Sequence, residues 1–469
     1  VVLKVTGDSV LHATTETGTA YGVNLDGATT IDVTGNLTAT ATASGEGGQA
    51  WSVHTDAGTL NLAGRTNTLN GDARVVNAGT LNLGSSSGNS QTNMNGNVSA
   101  DSTSSIGLTN ATLNLAAGKT VNVDGRVNSN NGTIAINGAA SEKTVNIATL
   151  DNTGSTTFRT SSATAGQIAV GTLNNTGTVN LNLDSTAAND LTGKTAAEVA
   201  QNAANVLAVT TRNGDGQYNV AVAESSGVTG AITAKTDENG NIITSSVTEK
   251  TNTVMSSLMN ISANNFLVFR SQMNDLDKRM GDLRTLPQAD GIWARAIAGQ
   301  SEYKQIHNTY QTLQIGADKR IGNLLVGATA SYTDGDGTLN NGSSDDKNYT
   351  FGLYGSWLGD DGQFVDVIVK RHRLESEYDL AYTSGDRAKG SMDTSGTSLS
   401  VEYGWRLGIA DTDFYIEPQA EFMYGHLNSV GYTTSNGVRI SQDAIKTAVG
   451  RLGIAAGWVS PDKTGSAYI

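Results

Sequence analysis

Ser398-Leu-Ser-Val-Glu-Tyr-Gly-Trp-Arg-Leu407 alternates apolar and polar residues without a break. In a strand, successive side chains point to opposite faces. Leu399, Val401, Tyr403, Trp405 and Leu407 therefore share one face, and Ser398, Ser400, Glu402, Gly404 and Arg406 share the other. A soluble sandwich also alternates. Three features of 291–469 point to a barrel in lipid instead. Its strand-like runs are about ten residues or longer, as a tilted crossing requires. Trp293, Tyr332, Trp357, Tyr403, Trp405 and Trp458 sit in or near the ends of apolar faces, where a headgroup girdle belongs. The opposite face carries Asp366, Lys370, Glu402, Arg406, Glu417, Glu421 and Arg451, which a wet lumen accepts and a dry core does not.

Strands are expected near 291–303, 309–321, 323–336, 347–359, 362–380, 394–409, 412–427 and 443–459, with a ninth starting around Gly465. Asp334-Gly-Asp-Gly337, 340–346 and 383–386 read as turns, with connections short on one side and longer on the other. Pro418 inside the seventh strand removes a ladder donor.

Upstream, a phrase recurs: Ala57-Gly-Thr-Leu-Asn-Leu62, Ala78-Gly-Thr-Leu-Asn-Leu83, Asn110-Ala-Thr-Leu-Asn-Leu115, Asn131-Gly-Thr-Ile-Ala-Ile136 and Thr176-Gly-Thr-Val-Asn-Leu181. A period near twenty, with a short alternating strand and an Asn/Gly corner, marks a parallel β-solenoid over 1–185. Leu, Ile and Val point inward, Thr and Asn pair in ladders, and Asn and Gly accept the left-handed corners. Residues 186–245 read as the end of the stack. They hold a helix over 195–207 on the face of Val199, Ala203, Val206 and Leu207, then strands over 218–223 and 242–247. Residues 246–286 read as a helix, with a natural place threaded through the lumen, followed by a linker to 290.

The 469 residues contain no Cys, 3 Pro and 55 Gly, with a net charge of −14. The absence of Cys excludes a disulfide framework and thiolate metal sites. The negative charge argues against a nucleic-acid partner. No apolar run reaches transmembrane-helix length, a test that a barrel evades. The chain opens at Val1 without Met and stops in a strand pattern, which reads as a piece cut at both ends.

Lys278-Arg-Met-Gly-Asp-Leu-Arg284, Gly291-Ile-Trp-Ala-Arg295, Gln314-Ile-Gly-Ala-Asp318, Gly352-Leu-Tyr-Gly355, Phe364-Val-Asp-Val-Ile368, Glu402-Tyr-Gly-Trp-Arg406, Ile416-Glu-Pro-Gln419 and Gly450-Arg451 follow one another in an order that resembles the autotransporter β-domain of type V secretion. The region before them is similar to autotransporter passengers. The resemblance implies an all-β chain: a right-handed parallel β-helix passenger, a linker helix, and an outer-membrane antiparallel barrel with about eight of twelve strands. It implies an outer-membrane barrel with a surface passenger. It also implies contact with outer-membrane lipid, the barrel-assembly machinery and periplasmic chaperones. The passenger is expected to be an adhesin or self-association factor, meeting host glycans or proteins or like passengers on other cells. The other class is an enzyme-bearing passenger whose protease-like domain lies upstream.

No Walker, dinucleotide or serine-nucleophile setting appears, the Asp/Gly runs lack a calcium-binding nonapeptide period, and neither metal nor cofactor is expected. The resemblance implies one reaction. Some autotransporters cut themselves in the pore when an Asn side-chain amide attacks its own carbonyl. Asn274 matches that nucleophile, although Asp275 replaces the family's second Asn. Asp366, Glu402 and Glu421 match the assisting lumen acids, and the alternation independently puts all three on the polar face.

Overall fold

The recurring phrase stacks on itself. In a computed structural model, Thr59–Leu62 and Thr80–Gly84 lie side by side in parallel, Thr59 against Thr80 and Leu60 against Leu81. The structure describes residues 1–138, 143–276, 280, 291–461 and 466–469. It divides into two units, Val1–Asn252 and Thr253–Ile469.

In the first unit the strands form three parallel columns. One runs through Thr30–Val33, Thr59–Leu62 and Thr80–Gly84. The second runs through Leu37–Ala43, Thr66–Asn70 and Ser90–Met94. The third runs through Gln49–Asp56, Asp72–Val76 and Val98–Ala100. The long strands Ser105–Leu115 and Val121–Ile136 turn from one column to the next at Asn110 and Asn131, with φ of 46° and 58°. Asn is among the few residues with a side chain that tolerate this conformation. Inside, Leu60, Leu62, Leu81, Leu83, Leu113 and Ile134 are buried, each contributing about 1.5–3 kcal/mol of transfer free energy. Along the outside, Asn82 donates to Asn61 at 2.7 Å and Asn61 to Asp32 at 2.6 Å. Each rung thus hands a hydrogen bond to the next.

The helix of the 195–207 segment spans Ala196–Ala204, closed at its start by a capping box between Thr195 and Glu198. Leu207 opens a strand, Leu207–Asn213, instead of ending that helix. The expected strand at 242–247 is absent: Thr244–Ser246 forms a 3₁₀ turn. The strand that replaces it is Gly230–Lys235. It runs antiparallel to Gln217–Val222 and is followed by an antiparallel Thr248–Thr251. This change of direction ends the parallel stack.

In the second unit, helix Thr253–Gln272 precedes strands β1 (Gly291–Tyr303), β2 (Ile306–Ile321), β3 (Leu324–Leu339), β4 (Gly342–Leu358), β5 (Gln363–Ala381), β6 (Arg387–Trp405, continued at Leu407–Gly408), β7 (Phe414–Leu427), β8 (Ile445–Val459) and β9 (Ser466–Tyr468). The helix is shorter than expected, because Thr248–Thr251 is strand and the chain turns after Gln272. The rest of the expected helix, 277–279 and 281–286, lies outside the described residues. Each strand pairs antiparallel with the next, and β1 and β9 end the path without pairing with each other. The sheet is curled and open, a truncated barrel around the helix.

Its burial is inside out. Phe351, Leu353, Trp357, Leu399, Tyr403, Trp405, Phe422 and Tyr424 are exposed, while Asp366, Lys370, Glu402, Glu417 and Glu421 are buried. A water-soluble sandwich would show the reverse, so lipid is the solvent of the outer face. That face changes character at the Tyr332–Tyr349 pair, whose ring centroids are 5.2 Å apart. Beyond it come ion pairs: Arg373 with Asp393 at 2.8 Å and with Glu375 at 2.9 Å, and Arg387 with Asp379 at 2.7 Å.

Three expectations for this unit are corrected. Asp334-Gly-Asp-Gly337 is strand, because alternating Asp outward and Gly inward is itself period two; the β3–β4 turn is only Asn340–Asn341. The longer connections expected on one side are mostly extensions of the strands, and only 428–444 is long, with its own hairpin Val430–Thr433 and Arg439–Gln442. Trp293 faces the lumen rather than lipid and donates to the Tyr354 hydroxyl at 3.0 Å. Pro418 also finds its place. The ladder between β6 and β7 is broken at Trp405–Arg406, opposite Pro418 and Glu417, so the missing donor falls in a gap.

Candidate functional site in the lumen

The polar face of the sheet converges on the end of the helix. Register places Asp366 of β5 opposite Glu402 of β6, Glu402 opposite Glu421 of β7, and Glu421 opposite Arg451 of β8. Four charged residues thus form one row across the inner wall. Small inward residues leave room for larger neighbours: a Cβ at Gly327 would sit 2.3 Å from the Tyr354 ring, and one at Gly404 would sit 2.1 Å from the Phe364 ring.

The helix is pinned along its length by wall side chains. Ser257 donates to Asn341 at 2.6 Å, Ser301 to Asn264 at 2.8 Å, Asn265 to Ser376 at 2.6 Å and Gln272 to Thr333 at 3.0 Å. At the end where the helix begins, Val254, Leu258 and Ile261 meet Leu339, Tyr378, Leu380 and Tyr382 in an apolar plug.

After Gln272 the chain turns through Met273–Leu276. In this turn the Asn274 amide nitrogen donates to Glu421 Oε1 at 2.6 Å. The same oxygen accepts from Ser400 at 2.7 Å, and Arg451 reaches Glu421 Oε2 at 3.5 Å. Asp366 accepts from Ser356. Of the expected residues, Asn274 and Glu421 meet directly, whereas Glu402 and Asp366 stand one and two strands further along the row.

Sequence reasoning did not anticipate how Asp275 is held. Its carboxylate pairs with the buried Lys370 ammonium and accepts from Gln314 at 3.2 Å. Lys370 also donates to the Gln272 carbonyl at 2.7 Å, where a cation complements the helix C-terminus. Arg295 donates to the Asp275 carbonyl and not to that of Asn274. The alternation did put Lys370 inside, but its partner lies 95 residues away and no local pattern links them. Among the described residues no cluster of His, Asp and Glu could hold a metal ion.

An open outer-membrane sheet wrapped on a helix and preceded by a β-solenoid defines a class: a translocator bearing its own passenger. Residues 288–468 match the family described as the autotransporter beta-domain. The chain is 33% identical over 197 residues to the BrkA autotransporter of Bordetella pertussis, covering 40% of this chain and 19% of that protein. It is 29% identical over 197 residues to the pertactin autotransporter of Bordetella parapertussis, covering 40% and 21%. The solved β-domain of the Bordetella autotransporter BrkA is 30% identical, covering 36% of this chain and 71% of that one, with a TM-score of 0.33. The chain belongs to the autotransporter family of type V secretion. It spans about a fifth of the length of the curated relatives named here. It is an outer-membrane protein with a surface-exposed passenger. In this class the β-domain anchors and translocates the β-helical region that precedes it.

Proposed function

We propose that this protein is a surface adhesin or self-association factor delivered by its own β-domain. In this reading 1–185 is the repeated passenger and 186–245 its C-terminal cap, with an autochaperone-like part in folding. Residues 246–290 link it to the lumen, and 291–469 form the β-domain. The inside-out burial of β1–β8 around a pinned helix carries the translocator half. The passenger half is supported by a long surface of Thr and Asn, which suits host glycans, host proteins or a like passenger on another cell. Insertion requires the barrel-assembly machinery, periplasmic chaperones and outer-membrane lipid. The test is display of the whole protein on cells that otherwise neither clump nor adhere. Clumping or adhesion lost on protease shaving supports the reading; cells that display the passenger and do neither refute it.

The hydrogen bond from Asn274 to Glu421 supports a second activity, release of the passenger by self-scission. The Asn274 amide nitrogen attacks its own carbonyl carbon and closes a cyclic imide. The bond to Asp275 breaks, and the Asp275 nitrogen leaves as an amine. Glu421 takes the proton from the attacking nitrogen as general base and passes it to the departing Asp275 nitrogen as general acid, with Asp366 and Glu402 as further acids of the row. The non-helical backbone at Asn274 favours this geometry, since the side chain must fold back on its own carbonyl. Lys370 offsets the negative charge of Asp275 beside the departing amine. Separate passenger and β-domain bands are expected from membranes, with a single band for Asn274→Ala. A wild type that stays whole in membranes excludes scission.

A further inference from the structure

The outer surface of the solenoid is almost free of aromatic side chains. The unit Val1–Asn252 contains Tyr21, Trp51, Phe158 and Tyr218 and no other aromatic of the Phe, Trp and Tyr type. Phe158 is in the core. Tyr21 and Trp51 stand in register on neighbouring rungs of the third column. The adjoining positions are Asn24 and His54, also in register, and Arg74 follows opposite His54 on the next rung.

Simple alternation would not put these residues together. Positions 51 and 54 differ by an odd number and should face opposite ways. A β-bulge between Trp51 and Val53 shifts the register against the next rung. Ser52 and Val53 are both turned inward, and Ser52 donates to the Gly71 carbonyl at 2.7 Å. The preceding rung carries the same irregularity at Gly22, where a Cβ would stand 2.7 Å from the Ser52 carbonyl oxygen. Two stacked bulges therefore bring Tyr21, Asn24, Trp51 and His54 to one face. Bulges of this kind re-aim side chains at functional positions.

The array is ordered. The Tyr21 and His54 rings are 5.3 Å apart, those of Trp51 and His54 6.4 Å, and the Arg74 guanidinium lies 5.4 Å from the Trp51 ring. His54 Nδ1 and the Asn24 side-chain oxygen are 2.9 Å apart. Burial and the nearby Arg74 hold the His54 pKa below its usual range, so the ring is neutral; its Nδ1–H donates to Asn24 and Nε2 is left as an acceptor. Asp26 and Asp56 flank the array in register, so its charge is mixed.

We propose that this array is a carbohydrate-binding site. The apolar face of a neutral hexopyranose oligosaccharide lies on Tyr21 and Trp51, and its hydroxyls meet Asn24, His54 and Arg74. Aromatic rings with polar rims suit a ligand with one apolar face and one wet edge. The rung spacing of about 4.8 Å is close to the length of one pyranose unit, so a linear oligosaccharide follows the stack. The balance of Arg74 against Asp26 and Asp56 favours an uncharged sugar. This inference rests on the adhesin reading and names its ligand class.

The test uses the full chain in detergent micelles, probed with cellohexaose, maltohexaose and chitohexaose by calorimetry and saturation-transfer NMR. At least one is expected to bind, with saturation passing to its ring C–H protons. Trp51→Ala should weaken binding ten-fold or more and His54→Ala several-fold; Trp51→Phe should retain it, and Tyr218→Ala should leave it unchanged. Melting curves check folding, and if Trp51→Ala fails to fold, His54→Ala and Asn24→Ala decide. The proposal is overturned if none of the three sugars binds, or if the folded Trp51, His54 and Asn24 variants bind as the wild type does. Adhesion of displaying cells is measured separately. Adhesion without sugar binding overturns this site and spares the adhesin reading; sugar binding without adhesion does the opposite.

Discussion

Lys370→Met tests whether the lumen helix is locked by charge. The Lys370 side chain is 0% exposed and that of Asp275 12% exposed. Met keeps most of the volume and removes the ammonium. The Gln272 carbonyl then loses its 2.7 Å donor, and the Asp275 carboxylate keeps Gln314 at 3.2 Å among its described partners. Removing one partner of a buried ion pair costs about 3–5 kcal/mol, because the other charge stays buried and uncompensated. Asp275→Asn removes the opposite charge with little change of shape. The double variant leaves neither charge behind, so it should be more stable than the two single losses added together. The expected coupling is at least about 2 kcal/mol, within the range for contacting residues. The assay is denaturant unfolding of the refolded chain in detergent for wild type, both single variants and the double, with protease access to 253–276 as a local readout. Additive losses would refute the pairing as the lock on the helix end.

Val401→Arg on the lipid face should cost about 2–4 kcal/mol of folding into bilayers, whereas Ser391→Arg, on the same face of β6 in the ion-paired region, should cost about 0–1 kcal/mol; equal losses on refolding into vesicles would contradict the boundary at Tyr332 and Tyr349. Asn61→Ala removes two ladder hydrogen bonds, one to a carboxylate, and should lower stability by about 2 kcal/mol, read as a lower solenoid melting temperature. Asp101 gives a pH test. Burial raises its pKa, but donors from the Asn77 backbone, Ser104 and Thr103 outweigh this and bring it to about 2. A depressed folded-state pKa adds stability above the unfolded value near 4 and loses it as pH falls toward 2. Wild type should therefore lose about 1 kcal/mol more than Asp101→Asn between pH 5 and pH 2, after allowance for solvent screening; parallel pH curves for the two would contradict it.

The sequence made the periodic features readable. Alternation in 398–407 gives the facing of Leu399, Val401 and Glu402, because a strand has only two sides. The phrase around Thr59 and Thr80 gives the stacking, because equal spacing puts like residues in register. Departures from strict period two were hidden. The bulge at Ser52 adds one residue to a strand and resembles ordinary sequence. Asp334-Gly-Asp-Gly337 uses turn residues, yet its period is that of a strand, and composition misleads there. In the site, alternation placed Glu421 inside and the family resemblance pointed to Asn274, but their 2.6 Å contact joins residues 147 apart. The pairing of Lys370 with Asp275 likewise depends on how the helix is seated in the curled sheet.

The outer face turns from apolar to ion-paired part-way along the strands, and this bears on what is presented at the cell surface. On β4 the outward residues from Trp357 to Tyr349 cover about 26 Å of strand at roughly 3.3 Å per residue, which a tilt of about 40° turns into roughly 20 Å of height, most of the apolar band of about 25 Å of an outer-membrane barrel. The remainder of β3 to β6 stands in water as a collar of paired strand rather than as a fringe of loops. Such a collar keeps its backbone amides in the ladder, which denies proteases an extended segment to bind. It also holds Arg373, Asp393 and Asp379 at fixed spacing. Antibodies against this rim would therefore recognise side chains drawn from several strands at once, and denatured protein or short peptides would make poor immunogens for it.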